Sequence, residues 1–301
     1  MNTVRVNAYS KLNLTLDITG AEGGYHTLDG VAVTVDLFDR VIVTKRKDAL
    51  ISVIMHGMGS ESIPPEENNA QRAGEKFVAR FGTNGANIKI FKNIPVGAGM
   101  GGSSADAAGV LIALAKLYAI SDMGALKELA DSLGSDTGYL LTGGFCRLSG
   151  RGEQVEKLGA APDWNFLVVC PKSGVSAAEC YREYDRLGMT YEPRTERFLT
   201  ALKENPAWAA RLFGNDLGNA AASLNGDVGR ALDAVKALSP MGASVTGSGS
   251  AVFALFETSE LCEWAKSRYK GKGRVYTVRC IDPVKTKRGR SLYALGEEEG
   301  K

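Results

Sequence analysis

A glycine-rich stretch at 95–104 carries the clearest chemistry in this sequence. It follows an alternating run at 86–91, which is typical of a half-buried strand, and leads into a segment with apolar residues at helical spacing. Glycines let a backbone approach a ligand closely, and the first turn of a helix offers free N–H groups and a positive dipole end. Ser103 and Ser104 stand where we expect the N-cap of that helix. The stretch therefore predicts a binding site for an anion, most often a phosphate.

Other interpretations of this stretch are weaker. Gly97, Gly99 and Gly102 match the G-x-G-x-x-G pattern of dinucleotide-binding folds, but a second helix at 123–133, and no parallel strand, is expected to follow. A Walker P-loop is excluded, because the glycines are not followed by Gly-Lys-Ser/Thr. A flexible loop before an ordinary helix would leave the two serines and the many glycines unexplained.

Three further groups of polar residues could take part in chemistry. Lys11 and Asn13 share one face of an alternating strand at 11–18, although a lysine there is usually solvated. Tyr25 and His26 follow the glycine-rich turn 20–24 and could contact a flat ring, or Tyr25 could pack on the sheet. Asp136 lies in an expected tight turn, where a carboxylate is most often a helix cap or an Asx-turn residue. The residues alone leave these alternatives open.

Composition excludes several classes of protein. A formal net charge of +2 over 301 residues predicts no nucleic-acid partner, and no apolar run suggests a membrane span or a secretory signal. Five scattered cysteines without C-x-x-C spacing are expected to be reduced thiols of a cytoplasmic protein. With only two histidines, a histidine-based metal site is not expected, and we assign no residue as a metal ligand.

The elements expected around these residues suggest an α+β fold of two-layer α/β domains. Strands predominate before the glycine-rich stretch, and helices follow it. A linker at 160–163 precedes a second set of strands and helices. The predicted domains are 1–158 and 159–284, followed by a solvated or frayed tail at 285–301.

Three separated signatures, taken together, resemble the GHMP kinases, a superfamily of small-molecule kinases. They are Lys11–Leu14, Pro95–Ala108 and Val245–Phe253, in the order in which the family carries them. The resemblance covers roughly residues 5 to 281. It implies a GHMP kinase fold, with an N-terminal ribosomal-protein-S5-domain-2-like ATP domain and a C-terminal ferredoxin-like domain on the substrate side.

Further segments resemble one branch of the family, whose substrate is a cytidyl diphosphate-linked methylerythritol on the non-mevalonate route to isoprenoids and terpenoids. They are Ala8, Gly24–Leu28, Asn68, Leu133–Asp136, Gly150–Glu153 and Asn215–Leu217. The resemblance implies an ATP-dependent phosphotransferase that uses Mg2+ and phosphorylates the 2-hydroxyl of this alcohol. It further implies a cytoplasmic monomer or weak homodimer without nucleic-acid or membrane partners.

The resemblance also implies roles for individual residues. Asp136 would accept or orient the hydroxyl proton, and Lys11 would hold that aspartate and favour its charged form. Residues implied to bind ATP are Asn68 and Lys92 at the adenine end, with Pro95, Gly97, Ala98, Gly99, Met100, Gly101, Gly102, Ser103 and Ser104 around the phosphates. Residues implied to bind the substrate are Asn13, Tyr25, His26, Asp136, Tyr181, Gly247, Ser248 and Gly249. Tyr25 and Tyr181 would sandwich cytosine, His26 would bind its edge, and the backbone N–H groups of 247–249 would donate to the diphosphate of the substrate.

Two alternatives remain at this point. One is a diverged GHMP kinase acting on a mevalonate-, homoserine- or sugar-like alcohol, against which Tyr25 and His26 argue. The other is a non-catalytic relative that binds a nucleotide, against which the pair Lys11 and Asp136 argues. Thr137 and Gly138 stand where the family usually has x-Pro after the aspartate, and this departure favours the second alternative slightly.

Overall fold

The chain forms two β-sheets with helices packed against them in a computed structural model that describes residues 2–57, 59, 68–188 and 191–283. The mixed helix and strand content confirms the expected α+β class. The predicted tail at 285–301 lies outside the described residues.

The first sheet is built on one long antiparallel hairpin. Its strands are β1 (Thr3–Glu22), which extends beyond the strand expected at 11–18 at both ends, and β2 (Tyr25–Lys45). The register shifts at three points along the hairpin, and such bulges let a long strand bend without ending. Around the hairpin the order is β3-β4-β2-β1-β8, with β5 on β2 and β6 on β5. These strands are β3 (Ile51–Gly57), β4 (Ala86–Lys92), β5 (Phe145–Gly150), β6 (Gln154–Gly159) and β8 (Gly214–Asn215).

The helices of the first half pack on this sheet through apolar residues. They are α1 (Asn69–Phe81), α2 (Gly102–Leu117), α3 (Met123–Asp131) and α4 (Ser135–Leu140). Helix α2 is buried along most of its length, because alanines and Gly109 let it approach the strands closely: a Cβ on Gly109 would lie 3.0 Å from both Ala8 and Val41. This close packing fixes where α2 begins, and therefore where its free N–H groups point.

The second sheet is antiparallel, in the order β11-β7-β10-β9. Its strands are β7 (Asn165–Cys170), β9 (Gly242–Val245), β10 (Val252–Phe256) and β11 (Arg274–Arg279). The helices of this half are α5 (Ala177–Leu187), α6 (Arg194–Glu204), α7 (Pro206–Ala209), α8 (Gly218–Leu224), α9 (Gly226–Lys236) and α10 (Ser259–Arg268).

The two halves share contacts across the predicted boundary at 158/159. Strand β8 comes from the second half but pairs in parallel with β1, and Val35 bridges Cys280. Residues of both halves also belong to one hydrophobic cluster, among them Leu12 and Phe253. The boundary itself stays a prediction.

Two local expectations were wrong. The N-cap of α2 is Gly101, with φ +73° and no side-chain cap, so Ser103 and Ser104 lie inside the first turn. A side chain at 101 would meet Lys11 and Leu140, which explains why glycine and not serine ends the loop. Asp136 lies in the first turn of the short helix α4 and not in a tight turn. The buried residues Tyr139 and Leu140 anchor that helix in the core, and their burial overrides the weak helix propensity of the segment.

No helix among the described residues is long and apolar enough to cross a membrane. The same residues contain no group of three or more histidine, cysteine or acidic side chains placed to hold a metal ion by themselves.

Candidate active site

A cavity of about 520 Å³ gathers most of the predicted site residues. The predicted residues on its wall are Lys11, Asn13, Asn68, Lys92, Pro95, Gly97, Ala98, Gly99, Met100, Gly101, Gly102, Ser103, Ser104, Asp136, Tyr181, Gly247 and Ser248. Three predicted residues, Tyr25, His26 and Gly249, do not line it. Residues distant in sequence thus meet around one space.

Lys11 and Asp136 form an ion pair on this wall. The Lys11 Nζ lies 3.3 Å from Asp136 Oδ2 and also donates a hydrogen bond to Asn13 Oδ1. Lys11 is 4% exposed, whereas the Asp136 side chain is 30% exposed, so the carboxylate remains accessible from the cavity. The strand alternation of β1 puts Lys11 and Asn13 on one face, and the start of α4 brings Asp136 to them. A carboxylate held beside an ammonium group can accept a proton from a hydroxyl bound between them.

The glycine-rich loop is held by its carbonyl groups. Gly97 O accepts hydrogen bonds from Val175 N and Ser250 N, both at 3.2 Å, and Ala98 O accepts one from Ala251 N at 3.0 Å. Met100 O accepts from Lys11 N at 3.1 Å. The first amides of α2 have no partner within the helix. The loop therefore presents N–H groups at the start of a 16-residue helix while its carbonyl oxygens are engaged elsewhere, which suits an anion such as a phosphate.

A second glycine loop packs directly against the first. A Cβ on Gly99 would lie 2.2 Å from Thr246 O, and one on Gly247 would lie 2.8 Å from Gly99 O. The buried Thr246 hydroxyl accepts a hydrogen bond from Asn13 N at 3.0 Å and donates one to Gly99 O at 3.3 Å. Gly249 N bonds back to Thr246 O, so this amide closes its own turn. Several glycines in both loops are thus required by the close contact between the halves, in addition to any contact with a ligand.

Lys92 lies in a buried charge cluster behind the first loop. Its Nζ donates to Asp39 Oδ2 and, at 2.5 Å, to Asp106 Oδ2. Asp39 Oδ1 in turn accepts from the amides of Asn93 and Ile94 at 2.5 and 2.8 Å, which fixes the start of the loop. Desolvation lowers the pKa of Lys92, but the charges of Asp106 and Asp39 outweigh it and the net pKa is raised. Asn68 caps α1 through its side chain, accepting from Ala70 N at 3.0 Å.

Asp106 differs from the other members of this cluster in its pKa and in its hydrogen bonding. Desolvation by burial, to which the charge of Asp39 adds, outweighs the opposing charge of Lys92, and the net pKa of Asp106 is raised to about 8. Its Oδ1 has no hydrogen-bond partner among the described residues although Asp106 is 1% exposed. The Asp106 carboxyl favours the protonated state around neutral pH, because burial penalises its charged form more than the charge of Lys92 stabilises it.

An aromatic cluster stands at the other end of the cavity. The rings of His26 and Tyr181 stack with centroids 4.9 Å apart, and His26 Nε2 lies 2.7 Å from Asp185 Oδ1. Burial raises the pKa of Tyr181 to about 12, and the charge of Asp136 adds to the effect. Tyr25, in contrast, is 61% exposed and packs under the guanidinium of Arg151 at 4.8 Å. The structure therefore brings Tyr181 together with His26, and Tyr25 together with Arg151.

The departure from the family pattern at Gly138 has a local explanation. Gly138 is buried inside α4, and a Cβ there would lie 2.2 Å from Asp131 Oδ1 at the end of α3. The Asp131 carboxylate, paired with Lys127 at 2.6 Å, occupies the space that a side chain at 138 would need. Helix α4 keeps its fold with glycine at this position, and Asp136 keeps its place beside Lys11.

Sequence reasoning missed four residues that shape the site: Asp39, Asp106, Arg151 and Thr246. A signal existed for Asp106, because an acidic residue within an otherwise apolar helix face needs a buried partner. Thr246 and Arg151 lie in segments that carry the family resemblance, 245–253 and 150–153, but nothing in these segments indicated their contacts. For Asp39 the local pattern offered no signal, since this residue acts through contacts with residues far away in sequence.

Comparisons with known proteins agree with this geometry. The family model of the GHMP kinases N terminal domain matches residues 68–145, and that of the GHMP kinases C terminal domain matches residues 198–263. A 4-diphosphocytidyl-2-C-methyl-D-erythritol kinase of Desulfitobacterium hafniense is 37% identical over 278 residues, which cover 89% of this chain and 94% of the relative. The crystal structure of a 4-(cytidine 5'-diphospho)-2C-methyl-D-erythritol kinase matches with a TM-score of 0.75 and 30% identity, covering 92% of this chain and 98% of that one.

Enzymes of lower sequence identity share the fold. The homoserine kinase of Cytophaga hutchinsonii matches with a TM-score of 0.70 at 16% identity, covering 94% of this chain and 96% of that one. At such identity the likeness concerns the fold alone.

Proposed function

This chain belongs to the GHMP kinase family, and we propose that it transfers the γ-phosphate of ATP to the 2-hydroxyl of 4-diphosphocytidyl-2-C-methyl-D-erythritol. The observation that carries the proposal is the Lys11–Asp136 ion pair, 3.3 Å long, on the same cavity wall as the glycine-rich loop. Relatives at 31–37% identity over most of the chain carry the name of this kinase.

The transfer is a direct displacement at phosphorus. The hydroxyl oxygen of the substrate forms a bond to the γ-phosphorus, the bond to the ADP oxygen breaks, and Asp136 takes the hydroxyl proton. Lys11 keeps Asp136 in position and places a positive charge where negative charge develops on the transferred group. Asn13, bonded to Lys11 Nζ, fixes the direction in which the ammonium group points. Phosphoryl transfer depends mainly on such positioning and charge neutralisation.

ATP would bind with its phosphates on the amides of the glycine-rich loop and of the first turn of α2. Mg2+ prefers oxygen ligands and usually combines one or two protein oxygens with substrate phosphates. The hydroxyl of Ser104, which lines the cavity, fits that role, whereas Ser103 Oγ already accepts a hydrogen bond from Asn69 Nδ2 at 3.0 Å. When bound, Mg2+ neutralises charge on the phosphates.

The cytosine base would bind at the aromatic end. The stacked pair of His26 and Tyr181 offers an aromatic face and a ring nitrogen, and Tyr25 stands close by in sequence. Stacking of a base on an aromatic ring contributes about 1–3 kcal/mol. The product would continue along the non-mevalonate route to isoprenoids, and the enzyme would act in the cytoplasm as a monomer or weak homodimer.

The test is an assay of ATP consumption by the purified protein with and without the cytidyl substrate, with phosphorus NMR to locate the new phosphate. We expect substrate-dependent ADP release and a phosphomonoester at the 2-position. Mevalonate, homoserine and a sugar serve as competing acceptors. Turnover of one of these alone would refute the substrate assignment, and no turnover with any acceptor, despite ATP binding, would refute the kinase.

A further inference from the structure

One positive charge on the cavity wall forms no ion pair with any carboxylate of the described residues. Among the described residues the wall carries three cationic side chains, Lys11, Lys92 and Arg151. Lys11 is paired with Asp136, and Lys92 lies between Asp39 and Asp106. Arg151 has no acidic partner within 4 Å in the described part of the chain. It is therefore the cation left available to a ligand.

The carboxylate nearest to Arg151 in sequence is engaged elsewhere. Glu153 Oε2 accepts a hydrogen bond from the backbone N of Arg151 at 2.7 Å, and the same side chain fills the space over Gly150. Both flanking glycines have positive φ, +69° for Gly150 and +106° for Gly152, so the turn holds a conformation that L-residues rarely adopt. Glu153 thus stabilises the turn, and its carboxylate forms no ion pair with the guanidinium of Arg151.

This turn contacts both the segment that carries Asp136 and the ring of Tyr25. A Cβ on Gly152 would lie 3.3 Å from Ser135 Cβ, and Ser135 is the neighbour of Asp136. On its other side Arg151 lies over the Tyr25 ring at 4.8 Å, and Tyr25 precedes His26. Arg151, Asp136 and Tyr181 line the same cavity, so an arginine at this turn can contact a ligand that also contacts the other two residues.

We propose that Arg151 binds the diphosphate of the substrate and so determines specificity for a nucleoside diphosphate-linked alcohol. The assignment rests on the proposed function, since it places the base and the alcohol at its two ends. A guanidinium group forms two parallel hydrogen bonds with phosphate oxygens, which a point charge cannot reproduce. The Tyr25 ring supports the guanidinium plane and limits its motion when no ligand is bound.

The experiment measures binding of CDP and of cytidine by calorimetry, to the full chain and to three variants. Arg151→Gln should weaken CDP binding about tenfold or more and leave cytidine binding within about twofold, because hydrogen bonds to charged groups are strong. Arg151→Lys should weaken CDP binding less. Arg80→Gln is the matched control, since Arg80 also lies over an aromatic ring, Phe81 at 5.6 Å, but at the end of α1 and away from the cavity wall. It should change neither affinity.

Steady-state kinetics give a second readout. Arg151→Gln should raise KM for the cytidyl substrate about tenfold, with KM for ATP unchanged and kcat within about threefold. Equal weakening of CDP and cytidine would mean that Arg151 supports the base, and unchanged affinities would mean that it contacts no ligand; either result overturns the assignment, as does a wild-type chain that binds neither compound. Wild-type protein that binds CDP but does not phosphorylate the cytidyl substrate would overturn the proposed function, while the Gln variant would still decide the role of Arg151.

Discussion

The two ends of the cavity are built in different ways. At the end that would hold the nucleotide, the backbone provides the contacts. Amides of the second half donate hydrogen bonds to carbonyl groups of the glycine-rich loop. The buried cluster of Lys92, Asp39 and Asp106 supports the same loop from behind. At the end that would hold the base, side chains provide them, and the Tyr25 ring and the Asp185 carboxylate are more than half exposed. The first construction depends on packing, which distant relatives can share, and the second on side-chain identity, which can change with the substrate.

The largest effect is expected where the two ends meet. Asp136→Asn removes the proton acceptor but keeps the size of the side chain, so we expect kcat to fall by about 10³-fold. The KM for ATP should change little, because the loop amides do not involve this side chain. Asp48→Asn, a change of an exposed aspartate paired with Arg46, is the control. Turnover near the wild-type rate in the Asp136 variant would rule out this residue as the base.

The next largest effect is expected at the end of the cavity where the backbone provides the contacts. Gly99→Ala would place a Cβ 2.2 Å from Thr246 O at φ +72°, so the loop must shift. We expect KM for ATP to rise at least tenfold and the free energy of unfolding to fall by about 3 kcal/mol. Gly82→Ala is the matched control, with φ +62° but nothing within 4 Å, and should cost only about 1 kcal/mol without changing kinetics. Equal effects at both positions would show that backbone strain alone, and not the contact between the loops, explains the glycine.

A change at the end of the cavity that is formed by side chains should alter KM for the cytidyl substrate and not KM for ATP. His26→Ala removes a ring stacked on Tyr181, so KM for the cytidyl substrate should rise about tenfold while KM for ATP stays constant. His56→Ala removes a similar stack, on Phe91 at 5.4 Å, but Phe91, unlike Tyr181, does not line the cavity. This variant should leave both constants unchanged. If KM for ATP rises with the His26 variant, the two ends are not separable in this way.

The smallest effect concerns the buried cluster and is seen in stability. An unfolded Asp106 loses its proton near pH 4, whereas in the folded protein its pKa is about 8, so the folded state holds an extra proton between these values. This contribution to stability is complete below pH 4 and is lost as the pH rises to 8. Asp106→Asn cannot lose a proton. Relative to wild type, its Tm should therefore rise by at least about 3 °C between pH 5 and pH 9, as followed by circular dichroism. A constant difference in Tm across this range would show that Asp106 does not titrate there.

Much of the fold followed from local patterns. The alternation in β1 predicted that Lys11 and Asn13 share a face, and the helical spacing after the glycines predicted α2. The expected turn at Asp136 was wrong because burial of Tyr139 and Leu140, a tertiary effect, makes the segment helical. The expected serine cap was wrong because Lys11 and Leu140 leave no room for a side chain at 101.

The sequence by itself determined which chemical groups are present and which element carries each of them, because side-chain periodicity and glycine content depend only on neighbours along the chain. The tertiary structure decided which groups meet: Asp136 with Lys11, His26 with Tyr181, Arg151 with Tyr25. The two residues of each pair lie far apart in the chain, and no local pattern could fix their contact. Burial and charge compensation are properties of the assembled core. The roles of Gly99, Asp106 and Arg151 could be recognised only after the chain had been folded around the cavity.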